Sequence, residues 1–407
     1  MKENPKVVVF YPWPNILERK SGASRRTGHM LDVLKGEYDL EVVSPTGTRD
    51  FRDGNVLYTS CRRPFLTSLT LDTVRRLYNG SLYLPTLGRS RGDAGWLWQH
   101  CQYAIDPVFS KYVDGVVSRT DVAVVEYAFA ASPVIRAFHR RSKKVIVTEH
   151  DVIFNQVSGV GFLRSLTRKV EIAALRAADK VVCVSGSDAE VFKAAGVNAE
   201  VIPHGIDLSQ YVPDAGDGNW GETLSGLGVS DFPKRRLCLF VGASHGPNFE
   251  AVRIIRDLAR SMQRRTPDEM VNFVVVGDCS QPSRCDNFLS LGRVDDETLR
   301  VIYQASDIVL VPLMKGTGAS LKVIEAMAHA KLVLGTSIGL RGYPVVSGFN
   351  CVISDDLAEY RELIDGFLAR EDRRREVGSN ARQFAEGYDY RTVYKRYIEL
   401  IRGCLRR

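Results

Sequence analysis

Two series of short apolar runs, each alternating with amphipathic stretches and parted by one glycine-rich break, constrain this chain more than any other feature. In the first series the runs fall at Lys6–Phe10, Leu40–Val43, Asn55–Tyr58, Val122–Glu126, Lys144–Thr148, Lys180–Val184 and Glu200–Ile202. Helical patterns such as Arg25–Leu34 and Leu163–Ala177 lie between them. Near-continuous apolar strands separated by helices are what a parallel sheet buried on both faces requires. The rhythm breaks over Asp207–Arg235, where Asp214, Gly216, Gly218, Asn219, Gly221, Gly226, Gly228 and Pro233 give a loop or linker composition. It restarts at Leu237–Val241, Asn272–Val276, Asp307–Val311, Lys331–Leu334 and Cys351–Ile353, with helices around Phe249–Gln263, Glu297–Gln304, Leu321–Ala330 and Leu357–Ala369. A last helix is predicted near Thr392–Leu405. The expected fold is therefore α/β, with two Rossmann-like doubly wound domains over residues 1–210 and 211–389 and ligands at the strand carboxyl ends. A chain of 407 residues suits two domains of ~200 residues each. The stretch Thr48–Asp114 is less regular; its Trp96 and Trp98 read either as an insertion near a binding site or as core packing.

Composition narrows the classes. A formal net charge of +7 favours a phosphorylated ligand or an anionic surface, yet the basic pairs (Arg25-Arg26, Arg62-Arg63, Arg75-Arg76, Arg140-Arg141) are scattered, so no nucleic-acid partner is expected. Eight cysteines include no C-x-x-C pair, and Cys183 and Cys238 sit in apolar runs as small hydrophobes, which fits a reduced, cytoplasmic protein. No run reaches the ~18 apolar residues of a membrane span, and the N-terminus lacks the apolar region of a signal peptide. Membrane contact, at an inner face, would be peripheral.

The chemistry concentrates in Lys315–Ala330, KGTGASLKVIEAMAHA. A glycine-bearing loop through Thr317, Gly318, Ala319, Ser320 and Leu321 runs into a helix, and free amides with a positive dipole end suit a phosphate. Lys322 adds a full charge in the first turn. Glu325, about one turn on, could accept two hydrogen bonds from a ribose diol, although spacing alone favours an ordinary capped helix whose Glu faces solvent.

This run resembles the donor-binding signature of family-4 retaining glycosyltransferases, in the branch with G-x-G-x-x-L-K-x-x-E-A-M-A. Further segments resemble the family in the right order. They are Ser21-Gly22-Ala23-Ser24-Arg25-Arg26, Thr148-Glu149-His150-Asp151, Glu171 with Leu175–Asp179, Val184-Ser185, Ile202–Asp207, Val241-Gly242 with Pro247-Asn248, and Leu291–Val294. The resemblance spans roughly 350 residues and implies the GT-B arrangement, two such domains facing a cleft, with the C-terminal helix, 390–407, packed back on the first domain. It implies a nucleotide-sugar donor held by Gly22, Gly242, Asn248, Arg293, Val294, Thr317–Leu321, Lys322 and Glu325. It places His150 beside the transferred sugar, with Asp151 either orienting its ring or capping the next helix. Arg25 and Arg26 belong to the loop that approaches the acceptor, a glycan or a lipid-linked molecule. Transfer would retain configuration by front-face attack, in the cytoplasm, with no cofactor and no metal; Asp295-Asp296 reads as a helix start.

Two departures stand out. The family's first Glu of E-x7-E falls on Thr317, which removes a contact associated with the donor sugar. The Arg and Lys that often follow Val-Gly and neutralise the diphosphate are absent, since Ala243-Ser244-His245 follow Gly242. Lys322 and the amides of Ser320 and Leu321 are expected to take over that task. The competing classes are a catalytically silent nucleotide-sugar-binding partner, kept open by Thr317, and a nucleotide-sugar epimerase or phosphorylase, whose signatures are missing. A dehydrogenase lacks its G-x-G-x-x-G turn, because Phe10-Tyr11-Pro12-Trp13-Pro14 stands in that place.

Overall fold

The computed structural model describes residues 4–14, 16–19, 21–44, 50–86, 91–157, 161–211, 220–228, 236–263 and 271–406. The chain divides into two compact units, one of Met1–Gly205, Thr317–Ala319 and Tyr390–Arg407, the other of Ile206–Gly316 and Ser320–Asp389. Most of the predicted linker, including Asp214–Asn219 and Pro233, lies outside the described residues. Within it, Trp220–Gly226 forms a short helix rather than loop.

In the first unit the strands are β1 (Lys6–Phe10), β2 (Asp39–Ser44), β3 (Phe51–Asp53), β4 (Val56–Ser60), β5 (Val122–Glu126), β6 (Lys144–Glu149), β7 (Lys180–Cys183) and β8 (Ala199–Val201). They form one sheet in the order β3-β4-β2-β1-β5-β6-β7-β8. All neighbours pair parallel except β3, which runs antiparallel to β4. Strand alternation then sorts the apolar residues into two layers. Val8, Phe10, Ala123, Val125, Val145 and Val147 enter one core. Val7, Val9, Val122, Val124 and Ile146 enter another with Tyr394, Tyr397 and Ile401 around the C-terminal helix Lys395–Leu405. A sheet buried on both faces explains why its strands read as unbroken apolar runs.

The second unit repeats the plan with β9 (Arg236–Val241), β10 (Val271–Val276), β11 (Ser283–Cys285), β12 (Phe288–Gly292), β13 (Ile308–Val311), β14 (Leu332–Gly335) and β15 (Val352–Ile353). Their order is β11-β12-β10-β9-β13-β14-β15, with only β11 antiparallel among the described pairings. Both sheets thus turn outward in both directions from their first strand, so each has a topological switch point: between β1 and β5, and between β9 and β13.

The irregular stretch after Thr48 is largely helical, with helices Phe65–Thr86, Arg91–Gln102 and Pro107–Val117. Trp98 is buried there, and Trp96 stacks on Phe129 at 6.3 Å, so these indoles serve core packing. Among the described residues no helix is long and apolar enough to cross a membrane.

Candidate functional site

Several of the residues singled out in the sequence lie near the two switch points, and each group is built differently. In the first unit β5 ends on Glu126 and β6 on Glu149, followed at once by His150. Parallel neighbours in register bring these ends side by side. His150 is buried, its Nε2 lies 2.5 Å from Glu126 Oε2, and its ring stacks on Tyr127 at 4.4 Å. Burial lowers the affinity of His150 for a second proton, opposed by Glu126 and aided by Arg26. A neutral imidazole that donates through Nε2 to a carboxylate leaves Nδ1 as an acceptor. That Nδ1 is buried with no partner among the described residues. Thr27 Oγ1 donates to the same Glu126 oxygen at 3.1 Å and fixes the carboxylate. Tyr127 has φ +62, a conformation costly for a non-glycine residue and one that clusters at functional sites.

Asp151 does not cap the next helix. The cap position of Ile153–Gln156 is Val152, with no side-chain bond. Its first amides instead donate to buried Glu171, Ile153 N–H at 3.1 Å and Phe154 N–H at 2.9 Å. Burial pushes the Glu171 carboxyl up to about 8, partly opposed by those two bonds. Glu149, buried alongside, is pushed well above the carboxylate range by desolvation, then by the charge of Glu171. Asp151 accepts from Thr317 Oγ1 at 3.1 Å, and Gln156 Nε2 donates to that hydroxyl at 3.3 Å. Gly318, at φ +72, leaves no room for a side chain: a methyl there would stand 2.6 Å from Asp151 Oδ1 and from the His150 carbonyl.

Gly22 opens the helix Gly22–Leu34 after β1, and that N-terminus is closed by its own serines. Ser24 N–H donates to Ser21 Oγ at 3.1 Å, and Ser21 N–H to Ser24 Oγ at 2.9 Å. Arg25 Nε donates to the Arg19 carbonyl at 3.0 Å. Arg26 takes a different role from the acceptor contact expected of it. It is buried, its guanidinium donates to Pro203 O at 2.8 Å and Tyr397 Oη at 3.0 Å, and it lies over the Tyr394 ring. It ties the first helix to the C-terminal one.

In the second unit β9 leads to Gly242, and β13 leads through the glycine loop to the helix Leu321–Ala328. Ser320 occupies the cap position of that helix without a side-chain hydrogen bond, which leaves its positive end without a built-in anion. Lys322, half-buried in the first turn, donates to Asn248 Oδ1 at 2.7 Å and lies 4.4 Å from the centre of the Phe240 ring. Asn248 is oriented in turn by donating to the Ala243 carbonyl at 2.9 Å. Burial lowers the Lys322 ammonium to about 7; Cys279 and Glu325 oppose this and Arg341 adds to it. Glu325 is buried on the same helix. Arg293, after β12, is exposed and pairs with Asp278 at 3.6 Å, with half-buried Val294 beside it. Asp295 caps the helix Asp296–Ala305 through Thr298 N–H at 2.8 Å.

The sequence reading missed Glu126, Tyr127 and Arg341. Glu126 carried a signal, a lone carboxylate closing the apolar run Val122–Val125 at a strand carboxyl end; the other two carried none.

Two open α/β sheets, each with a topological switch point, make this a doubly wound α/β protein of two repeated units. Residues 20–210 match the family described as Glycosyltransferase Family 4, and residues 235–369 match Glycosyl transferases group 1. The chain belongs to this glycosyltransferase family and has its GT-B fold. It is 32% identical over 100 residues to an uncharacterised 44.6 kDa protein in the cps region of Klebsiella pneumoniae, covering 24% of this chain and 26% of that one. It is 23% identical over 264 residues to the uncharacterised glycosyltransferase MJ1178 of Methanocaldococcus jannaschii, covering 61% of this chain and 65% of that one. The chain thus matches less than two thirds of the length of either relative. Among solved structures, Anabaena Alr3699/HepE in complex with UDP and glucose superimposes with a TM-score of 0.69 at 14% identity, covering 98% of this chain and 100% of that one.

Proposed function

We propose that the chain transfers a sugar from a nucleoside-diphosphate sugar to a glycan or lipid-linked acceptor, with retention of configuration and without a metal. The observation that carries this reading is Lys322, held by Asn248 in the first turn of a helix whose N-terminus has no side-chain cap. A cation beside free helix amides stabilises the charge that gathers on a departing diphosphate. Glu325, on the same helix, takes the ribose hydroxyls. The Anabaena protein with UDP bound supports a nucleoside diphosphate as the ligand class.

His150 supplies the second part. Its Nδ1, turned into an acceptor by the bond from Nε2 to Glu126, receives a hydroxyl of the transferred sugar. Front-face attack asks the protein mainly to align donor and acceptor and to stabilise charge, and a neutral histidine fixed by a carboxylate suits that work. Arg25 remains the candidate acceptor contact, and the site is cytoplasmic or at the inner face of a membrane.

The test is donor turnover across UDP- and GDP-sugars with EDTA present and a mixture of glycan acceptors, the anomeric configuration of the product being read by NMR. Transfer with retention in EDTA supports the proposal. Binding of nucleotide sugar without turnover on any acceptor, in wild type and His150→Ala alike, would favour the silent partner.

A further inference from the structure

The second unit lacks the Arg and Lys that the resemblance leads one to expect after Val241-Gly242, and Lys322 alone is a weak substitute. A diphosphate diester carries about two negative charges, and one ammonium offsets about one of them. A second cation reaches the same loop from another strand. After β14 the chain turns through Thr336–Gly342, pinned by Gly339 N–H donating to Thr336 Oγ1 at 2.9 Å. Arg341 follows, its Nη1 donating to the Ile338 carbonyl at 2.7 Å.

The guanidinium occupies the space that a side chain on Gly316, the loop residue that precedes Thr317, would need. A methyl group on Gly316 would stand 2.5 Å from Nη2, 2.8 Å from Cζ and 3.0 Å from Nη1. Gly316 also has φ +145, so the loop conformation and the Arg341 seat both require glycine there. From this seat Arg341 acts on two further nitrogen bases. It lowers the proton affinity of Lys322 and, after burial, is the largest cause that lowers His245 at the cap position of the helix Gly246–Ser261. Glu250 pairs with Lys315 at 3.0 Å, while Asp151 and Asp188 meet the loop further on, accepting from Thr317 Oγ1 at 3.1 Å and from Gly318 N–H at 3.4 Å. Arg341, Lys322 and His245 thus lie within electrostatic reach of one another, a grouping that suits a polyanion.

We propose that Arg341, delivered by the β14 turn onto the Gly316 backbone, is the second cation that binds the donor diphosphate, in place of the Arg–Lys pair missing after Gly242. The inference rests on the donor-site reading above. A guanidinium fork binds two phosphate oxygens at once, which an ammonium cannot do. The residue therefore contributes to the phosphates and nothing to the base or ribose.

That division sets the experiment. Full-length wild type, Arg341→Gln and Arg341→Lys are titrated with UDP and GDP by calorimetry, and with uridine and guanosine by saturation-transfer NMR, which detects weak binding. Arg341→Gln should weaken the preferred nucleoside diphosphate on the order of 10- to 100-fold. It should leave nucleoside binding unchanged, and Arg341→Lys should recover part of the loss. Equal diphosphate binding by Arg341→Gln and wild type overturns the inference while leaving the donor site intact. Equal losses for nucleoside and diphosphate also overturn it, because Arg341 would then be supporting the loop. If wild type binds neither diphosphate, the donor-site reading fails and takes the inference with it.

Discussion

The two switch points share a topology and differ in charge and in how their helices begin. At the first, the helix Gly22–Leu34 is closed by Ser21 and Ser24, and the strand ends carry Glu126, Glu149 and His150, whose proton affinity burial lowers. At the second, the helix Leu321–Ala328 starts without a side-chain cap and is met by Lys322, with Arg341 in reach. The first end fixes a histidine against a carboxylate, whereas an uncapped helix end beside a cation attracts an anion. The same β–loop–helix unit thus holds a histidine against a carboxylate in one copy and a lysine beside an uncapped helix in the other, according to which side chains follow the strand.

Substitutions can break this contrast, and the largest effect is expected at His150. His150→Ala should lower kcat roughly 100-fold or more with little change in the donor Michaelis constant, measured by initial rates. An effect on the Michaelis constant alone would move His150 out of the chemistry. Next, Lys322→Ala should raise the donor Michaelis constant by about 10- to 100-fold; an unchanged value would remove Lys322 from the phosphates. Glu126→Gln should cost about 10-fold in kcat, because the amide can donate to Nε2 and so favour the other imidazole tautomer.

The smaller effects concern protons. A donor diphosphate diester has no ionisation near neutrality, and it favours charged Lys322. Donor affinity should therefore be highest below about pH 7 and fall as the pH rises through the Lys322 value of about 7. Calorimetry in buffers of different ionisation enthalpy should show proton uptake on binding around that pH, and none in Lys322→Ala. For stability, Glu149 and Glu171 keep their protons to higher pH in the folded chain than in the unfolded one. Folding then takes up protons between the ordinary carboxylate range and about pH 8, so the melting temperature should fall as pH rises through that window. Glu149→Gln should flatten the slope.

Much of this was legible in the sequence, for physical reasons that vary by element. Buried parallel strands such as Val122–Glu126 and Lys144–Glu149 announce themselves because both faces are apolar. The edge strands Phe51–Asp53 and Ser283–Cys285 did not, because they are short and wholly exposed. The glycine loop and Lys322 were visible because they are consecutive residues, Lys315–Lys322, at the start of a helix. Contacts between distant segments were not: the bond of Arg26 to Tyr397 joins positions 371 residues apart, and nothing local marks it as interior. Arg341 was hidden likewise, since its meaning depends on lying against Gly316.

The most direct test of the central claim, that the Lys322–Glu325 helix reads a nucleoside diphosphate, is a thermal-shift panel of UDP, GDP, ADP and NAD on wild type and Glu325→Ala. The account predicts that UDP or GDP raises the melting temperature of wild type, and that Glu325→Ala loses most of the shift. A shift with NAD alone, or an equal shift in both proteins, would contradict it.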